Sequence, residues 1–375
     1  MNETFETSYG DKIALMPGVE KILYPYSNDE AHYRDQLENS YASQRFLQKK
    51  VKSRITNIGT DLDSYTLVID FLEELNLLSG QYEKALDIAG APGIHGALLR
   101  GNYARHVDVA DVRDGTDPHL TRKLKRALWK YRLQKIEDRL FKGGLLKHRV
   151  KRVQHLEHLN TPSFKNYYNF NFRRKPAVDR FIVGDWRETV TQQYDFIMSF
   201  MSFWLWDHKQ AIPKVASLLS PGGIFVTLAP YCWAGRGLGG VGSLLGGAFP
   251  FFEQRLTLTD MKRYYEQFKP NLAQHVEEVY RFFDPFRPSI NQYVECALEN
   301  GLVVRGTKRL YYNYRKLALT YEGFFGATVV VNSGRPDAIV VDAGEVLRNI
   351  GRFRNDITFE DLLTKGVILV FQKPS

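Results

Sequence analysis

Short apolar runs bounded by turn residues recur along the chain. They fall at residues 84–90, 106–112, 180–184, 194–200 and 222–229, with two later runs at 303–313 and 366–372. Continuous apolar runs of this length predict buried parallel strands. Helical segments fit between them at 96–102 and 209–219, the second ending at the stop signal SPGG. The alternation predicts an α/β fold, with a doubly wound, mostly parallel sheet of seven strands.

The same pattern divides the chain into a core and additions to it. Residues 1–80 are predicted to form a mainly helical N-terminal cap, in which SYASQRFLQKKVKSRI (40–55) and SYTLVIDFLEELNLL (64–78) are the best helical segments. The core occupies 81–231 and returns at 301–375. Two insertions interrupt it, one basic at about 115–177 and one rich in glycine and aromatic residues at 232–300.

Composition narrows the class of protein. The chain has 375 residues and is 44% apolar, enough for a substantial core. Its two cysteines, Cys232 and Cys296, make neither a disulfide framework nor a familiar zinc site, and we expect no metal. The sequence contains no uncharged apolar run of about 18 residues, so it predicts no transmembrane segment. Because the start lacks a secretory pattern, we expect a cytoplasmic protein.

The positive charge of the chain is local. Residues 119–176 contain 17 Lys or Arg and 3 acidic residues, which exceeds the net charge of +9 of the whole chain. Leucines near helical spacing in this segment predict a basic amphipathic helix. Such a helix could bind phosphates of a substrate or RNA, or an anionic membrane surface. A solvated helix face is the equally weighted alternative.

The stretch KALDIAGAPGIHGALL, residues 84–99, holds the first candidate site. Its strand ends in Asp87, and Gly90 and Gly93 permit a tight turn before an apolar helix. This arrangement brings backbone amides and a helix N-terminus to a ligand at the carboxyl edge of the sheet. Asp111 ends the next strand, where an acid can bind both ribose hydroxyls. The third strand leads into Gly184-Asp185-Trp186, suited to an adenine edge and face, so a nucleoside-containing cofactor fits.

Several motifs between residues 81 and 231 resemble those of the class I S-adenosylmethionine-dependent methyltransferases. They are ALDIAGAPG, HVDVADV, FIVGDW, and YDFIMSFMSFWLWDH followed by LLSPGGIFVTLAP. The resemblance implies a Rossmann-like core and S-adenosyl-L-methionine as cofactor. One departure is visible, because Ala89 and Ala91 stand where that family commonly has glycines. The resemblance implies that Asp87 and Gly93 contact the amino acid end of the cofactor and that Asp111 contacts the ribose. It implies that Asp185 and Trp186 contact the adenine. The remaining residues of the implied cofactor site are Ala89, Gly90, Gly184 and Ser199.

The segment after the fourth strand bears on the acceptor. It reads Ser199-Phe200-Met201-Ser202, which lacks the motif of DNA amino-methyltransferases and the aspartate of RNA ribose methyltransferases. Methylation of a hydroxyl needs a nearby base to take its proton. His208, with Asp207 beside it, is the predicted catalytic base. The alternative is that His208 caps the following helix or is merely exposed, and His95 is predicted to pack or to contact the cofactor.

The second insertion is expected to decide the substrate. GRGLGGVGSLLGGA, residues 235–248, contains seven glycines and predicts a mobile lid, with a surface loop as the alternative. The aromatic residues beyond it either line an acceptor pocket or form the core of a substrate cap. We favour the core for this set: Tyr264, Tyr265, Phe282, Phe283 and Phe286.

Three functions remain open from the sequence. The favoured one is an O-methyltransferase that acts on a hydroxyl of a carbohydrate or glycan, or of another small metabolite. The second is an RNA methyltransferase, for example of guanine N7, whose ring nitrogen carries no proton to remove and whose phosphates would meet residues 119–176. The third is a non-catalytic binding protein, which the intact acids at 87, 111 and 185 disfavour. The oligomeric state is left open.

Overall fold

A computed structural model gives the fold. It describes residues 3–16, 58–78, 80–90, 93–112, 178–230, 240–283, 287–311, 328–331 and 339–375. The predicted basic insertion, with the segment 119–176, lies outside the described residues. So does the predicted helix at 40–55.

A seven-stranded sheet forms the centre of the molecule, in the order β5-β4-β3-β6-β7-β11-β8. The five strands from β5 to β7 are parallel to one another, and β11 is antiparallel to both of its neighbours. This confirms the predicted doubly wound, mostly parallel sheet. The strands are β3 Tyr82–Ile88, β4 Ala104–Asp111, β5 Arg180–Val183, β6 Tyr194–Phe200, β7 Leu219–Pro230, β8 Val303–Tyr311 and β11 Thr364–Gln372.

Two further pairs of strands are antiparallel and short. β1 Thr4–Glu6 pairs with β2 Lys12–Ala14, and β9 Thr328–Val331 pairs with β10 Ile339–Asp342. The helices are α1 Ile58–Glu74, α2 Ile94–Asn102, α3 Trp186–Thr189, α4 His208–Leu218, α5 Val241–Leu245, α6 Phe252–Arg255, α7 Leu258–Phe268, α8 Pro270–Ala273, α9 Val276–Phe283, α10 Ile290–Glu299, α11 Ala343–Gly351 and α12 Phe359–Leu363, with a 3₁₀ turn at Phe203–Leu205.

Both faces of the sheet are buried, which is why its strands read as continuous apolar runs. Successive residues alternate between two apolar clusters. Ile197 and Phe225 face one cluster, and Phe196 and Val226 face the other. Helices α1 and α2 cover the second face, whereas α4, α10 and the helices of the second insertion cover the first.

Within the described residues, the predicted strands and the helices predicted at 96–102 and 209–219 are confirmed, with bounds that differ by at most three residues. The clearest difference is at the end of β3, which stops at Ile88 instead of residue 90. It stops there because Ala89 takes a left-handed backbone conformation, with φ of 54°, that cannot continue a strand. Helix α4 begins and ends within one residue of its prediction.

The N-terminal segment differs in part from the predicted helical cap. Helix α1 confirms the second helical segment, but residues 3–16 form the β1–β2 pair and pack on α7. The ring of Phe5 meets that of Tyr264 at 5.5 Å, edge to face. The carboxylate of Asp260 accepts hydrogen bonds from Ser8 N at 2.6 Å and from Ser8 Oγ at 3.0 Å. Residues 3–16 therefore pack against the second insertion and support it.

The described part of the predicted lid, residues 240–248, is packed into the insertion. Val241 and Leu245 of α5 are fully buried, and a Cβ on Gly247 would lie 2.5 Å from the ring of Phe252. The glycines here allow close packing against α6, so this part belongs to the core of the insertion, and its mobility stays a prediction. Tyr264 and Tyr265 are also buried, as the favoured interpretation predicts.

Within the described ranges, no helix combines the length and the apolar character needed to span a membrane.

Candidate functional site

The order of the strands defines where a ligand would bind. From β3 the chain proceeds outward through β4 and β5, and from β6 it proceeds outward on the other side through β7. The crevice at the carboxyl ends of β3 and β6 is therefore the topological switch point of the sheet. Open α/β sheets bind their ligands in this crevice.

The turn after β3 is built around the carboxylate of Asp87. This side chain is 1% exposed, and its Oδ2 accepts a hydrogen bond from Gly96 N in the first turn of α2 at 3.0 Å. A Cβ on residue 90 would lie 2.2 Å from the carboxyl carbon of Asp87, so only glycine fits there. Gly93 precedes α2 with φ of 85°, a left-handed conformation that glycine adopts without strain.

Ala89, between Asp87 and Gly90, is the residue where a related motif would have glycine. Its φ of 54° places an L-residue in the left-handed region, which costs energy. Its N–H donates to Ala110 O of β4 at 2.7 Å, and this bond fixes the start of the turn. The first residue of the turn therefore adopts the left-handed conformation although it is alanine and not glycine.

The ends of β4 and β5 lie next to this turn. Asp111, the last residue of β4, is 3% exposed, and its carbonyl accepts the N–H of Gly184 at 2.9 Å. Asp185 begins α3 and accepts a hydrogen bond from Arg187 N at 2.9 Å. The guanidinium of Arg187 also donates to both carboxylate oxygens of Asp185, from Nε to Oδ1 at 3.0 Å and from Nη2 to Oδ2 at 2.6 Å.

Arg187 stabilises the ionised form of Asp185. Partial burial acts to raise the pKa of the Asp185 carboxyl, but the hydrogen bonds from Arg187 outweigh it and bring the pKa below its ordinary value. Asp185 is therefore a carboxylate with an arginine partner. A carboxylate can accept more hydrogen bonds than Arg187 donates to it, so an adenine amino group could still donate one to Asp185.

Trp186 lies in the interior. The side chain is 2% exposed and its ring meets Trp206 edge to face at 5.5 Å. Its Nε1 is buried, and no hydrogen-bond partner for it occurs among the described residues. Its predicted contact with adenine stays a prediction, and the ring also holds the segment after β6 against α3.

Ser199 faces the same cluster as Ile197, one residue from the end of β6. It is fully buried, and its carbonyl accepts a hydrogen bond from Thr227 Oγ1 at 2.9 Å. Its own Oγ has no hydrogen-bond partner in the part of the chain that the structure describes. A buried hydroxyl of this kind is a candidate ligand contact at the switch point.

Asp207 and His208 lie at the start of α4. Asp207 is the N-cap, and its Oδ1 accepts a hydrogen bond from Lys209 N at 3.0 Å. The side chain of His208 is 12% exposed, its Nδ1 lies 3.6 Å from Asp207 Oδ1, and its ring meets Tyr293 of α10 at 5.7 Å. The capping role that the sequence left open for His208 thus falls to Asp207.

The environment of His208 favours its neutral form. Burial is the main cause that lowers the pKa of His208, and Lys209 and Arg354 add to it, whereas Asp207 opposes it. A neutral imidazole can accept a proton, which a catalytic base requires. The catalytic role of His208 and Asp207 stays a prediction.

His95 lies in the first turn of α2, beside the cofactor turn. Its ring is parallel to that of Tyr65 from α1 at 6.4 Å and meets Phe200 at 4.7 Å. Sequence reasoning missed Tyr65 and Phe200 as neighbours of the turn. The helical period of residues 64–78 indicates that Tyr65 is on the buried face of α1, but no local pattern indicates which loop that face covers.

No group of three or more His, Cys, Asp or Glu side chains could hold a metal ion in the described ranges. No known family model matches the chain, and no curated protein matches it. Its structure is similar to that of the N-methyltransferase NodS from Bradyrhizobium japonicum in complex with S-adenosyl-L-homocysteine. The identity is 11%, over 91% of this chain and 98% of that chain, with a TM-score of 0.36.

A second similar structure is that of a geranyl diphosphate methyltransferase in complex with S-adenosylmethionine. The identity is again 11%, over 82% of this chain and 85% of that chain, with a TM-score of 0.36. The strand order and the direction of β11 carry the fold assignment. The chain has the Rossmann-like methyltransferase fold that the sequence motifs predict.

Proposed function

We propose that this protein is an S-adenosylmethionine-dependent methyltransferase. The observation that carries the proposal is the convergence of Asp87, Asp111 and Asp185 at the carboxyl ends of three adjacent parallel strands. The turn after β3, in which a Cβ at position 90 would overlap the carboxyl of Asp87, lies at the same edge. An amino acid, a ribose and an adenine present the groups that three such acids bind.

The residues of the turn fit the cofactor that the motifs imply. Asp87 and Gly93 would hold its amino acid end, with Ala89 and Gly90 allowing the close approach of the backbone. Asp111 would bind the ribose, and Gly184, Asp185 and Trp186 would form the adenine side, with Ser199 at the switch point. When bound, S-adenosylmethionine supplies a methyl group on a sulfonium, which an acceptor oxygen attacks in line.

For the acceptor we propose a hydroxyl of a carbohydrate, a glycan or another small metabolite. An attacking hydroxyl must lose its proton, and His208 is the candidate to take it. Its lowered pKa supports this role, because the imidazole is then neutral and ready to accept a proton near pH 7. Asp207 would act beside it through the field of its carboxylate, 3.6 Å from Nδ1.

An RNA acceptor is the second candidate, and one observation favours it. The segment with 17 Lys or Arg between residues 119 and 176 follows β4, whose carboxyl end carries Asp111. Its attachment point is therefore at the edge where the cofactor would bind. RNA phosphates are one kind of partner that such a basic segment attracts.

The experiment measures transfer of a labelled methyl group from S-adenosylmethionine to separate pools of glycans and RNA. We expect transfer to the glycan pool that changes little between about 50 and about 300 mM salt, whereas transfer to RNA would fall steeply over this range. Asp111→Asn should abolish transfer in either case. Asp195→Asn, at the amino end of β6, is the matched control and should leave it intact.

If neither pool is labelled although the cofactor binds, the acceptor assignment is wrong. If the Asp111→Asn variant transfers methyl groups at the rate of the wild type, the assignment of the ribose site is wrong.

A further inference from the structure

Arg187 contacts both the adenine side of the site and the helix that carries the candidate base. It lies in α3, and its Nε and Nη2 donate to the two carboxylate oxygens of Asp185 at 3.0 and 2.6 Å. This bidentate arrangement leaves Nη1 for another acceptor, and Nη1 donates to Oε1 of Gln210, in the first turn of α4, at 3.3 Å. One planar guanidinium thus holds two residues that are 23 positions apart in the chain.

A second contact joins the same two segments. The ring of Trp186 in α3 meets the ring of Trp206 edge to face at 5.5 Å. Because Trp206 directly precedes the N-cap of α4 and Gln210 lies in its first turn, the two contacts bracket the residues between them. Those residues include Asp207 and His208.

The charges around Arg187 favour this arrangement. The hydrogen bond to Asp185 is the main cause that raises the pKa of Arg187, and the fields of Glu188 and Asp207 add to it, whereas partial burial opposes it. The guanidinium therefore stays protonated while it interacts with carboxylates of both segments. The side chains of Asp185 and Arg187 are 28% and 33% exposed, so water screens this pair less than a fully exposed one.

We propose that Arg187 is a positioning residue that joins the cofactor side of the site to its acceptor side. This inference rests on the proposed function. Through Asp185, Arg187 holds an ionised carboxylate in a fixed orientation for the amino group of adenine. Through Gln210, it fixes the first turn of α4, which carries His208. Binding of adenine at Asp185 then stabilises the start of α4, because both contact the same guanidinium.

The alternative is a local ion pair within α3. Asp185 caps this helix by accepting a hydrogen bond from Arg187 N at 2.9 Å. A pair that served only this purpose would stabilise α3 and nothing beyond it. The two roles differ in their effect on ligand binding at low pH and on the mobility of α4.

The first experiment measures the affinity for S-adenosylhomocysteine by calorimetry at about pH 7.5 and about pH 5, both above the ordinary pKa of an aspartate. In the wild type Asp185 is ionised at both values, because its pKa lies below the ordinary one. In Arg187→Met, burial is the cause that remains, and it acts to raise the pKa of Asp185. We expect this variant to bind about tenfold more weakly at the higher pH and to lose further affinity, relative to the wild type, at the lower pH.

Two further variants control this measurement. Arg187→Lys keeps a cation beside Asp185, so we expect an intermediate affinity and the wild-type pH dependence. Arg281→Met removes an exposed arginine that pairs with Glu277 of α9, and it should change neither affinity nor pH dependence.

The other titratable groups around the pair do not change in these variants. They are Glu188 of α3, Asp111 at the end of β4, and Asp207 and His208 at the start of α4. If Arg187→Met binds as the wild type does, or is weaker by the same factor at both pH values, the inference is overturned.

The second experiment measures amide hydrogen exchange in residues 207–212 with and without S-adenosylhomocysteine. We expect the ligand to slow exchange there in the wild type, because the first turn of α4 is held more firmly. Gln210→Ala removes the contact with Arg187 and leaves Asp185 in place, so the variant should still bind the ligand while the slowing is lost. Equal slowing in both proteins would overturn the inference.

The wild type separates this inference from the proposed function. If it binds S-adenosylhomocysteine but the variants do not behave as expected, only the role of Arg187 is overturned. If it does not bind the compound at either pH, both proposals are overturned.

Discussion

Replacement of Gly90 by alanine is the sharpest single perturbation of the cofactor turn. A Cβ at this position would lie 2.2 Å from both Cγ and Oδ2 of Asp87, whereas carbon atoms in contact lie about 3.5 Å or more apart. The overlap exceeds what small side-chain rotations relieve. The carboxylate of Asp87 must therefore move away from the turn.

The cost follows from what Asp87 loses. Its Oδ2 accepts a hydrogen bond from Gly96 N at 3.0 Å in a fully buried setting. Loss of a hydrogen bond to a charged group costs about 1.5–3 kcal/mol, and the overpacking that remains costs about 1–3 kcal/mol. The lower entropy of the unfolded alanine variant offsets about 0.4–1 kcal/mol. We expect Gly90→Ala to lose about 2–5 kcal/mol of unfolding free energy and most of its cofactor affinity.

Denaturant unfolding and calorimetric binding of S-adenosylhomocysteine measure the two effects. Gly80→Ala is the matched control, since a Cβ there has no atom within 4 Å, and it should be neutral in both assays. A Gly90→Ala variant as stable as the control would mean that the carboxylate of Asp87 does not occupy the turn beside Gly90.

The remaining predictions concern the insertion and His208. Asp260→Ala should release residues 3–16, because Ser8 loses both of its bonds to this buried carboxylate, and amide hydrogen exchange in β1 and β2 should accelerate. Protected amides there would contradict this role of Asp260. Burial lowers the pKa of His208, so its contribution to stability is complete above its ordinary pKa of about 6.5 and declines at lower pH. His208→Gln should flatten the unfolding free energy between about pH 5 and 7, and a curve parallel to that of the wild type would be evidence against the lowered pKa.

The sheet could be predicted because its strands are buried on both faces. A short apolar run such as Phe196–Met198 that is bounded by turn residues has few interpretations other than a buried strand. The motif order also placed the acids at strand ends, and the structure brings Asp87, Asp111 and Asp185 to one edge.

The failures have physical causes in long-range packing. The glycines at 242 and 247 indicate flexibility when read locally, but the side chains of Glu253 and Phe252 fill the space beside them. Likewise, residues 3–16 make their main contacts with α7, about 250 residues away, which no local pattern encodes.

The same limit applies to the site. The sequence predicts that Trp186 follows the third strand of the core, but its burial against Trp206 depends on how the segment after β6 turns back. Met201, directly after β6, has a left-handed conformation that depends on the bond its N–H donates to Leu228 O and on the bond its carbonyl accepts from Trp204 Nε1. Neither feature follows from residue type or spacing.

Calorimetric titration of the purified chain with S-adenosylhomocysteine measures whether the cofactor site exists. We expect saturable binding at one site per chain, which Asp111→Asn weakens strongly and Asp195→Asn does not. Absence of binding, or equal binding by both variants, would contradict the assignment of the carboxyl edge of β3, β4 and β5 as a cofactor site.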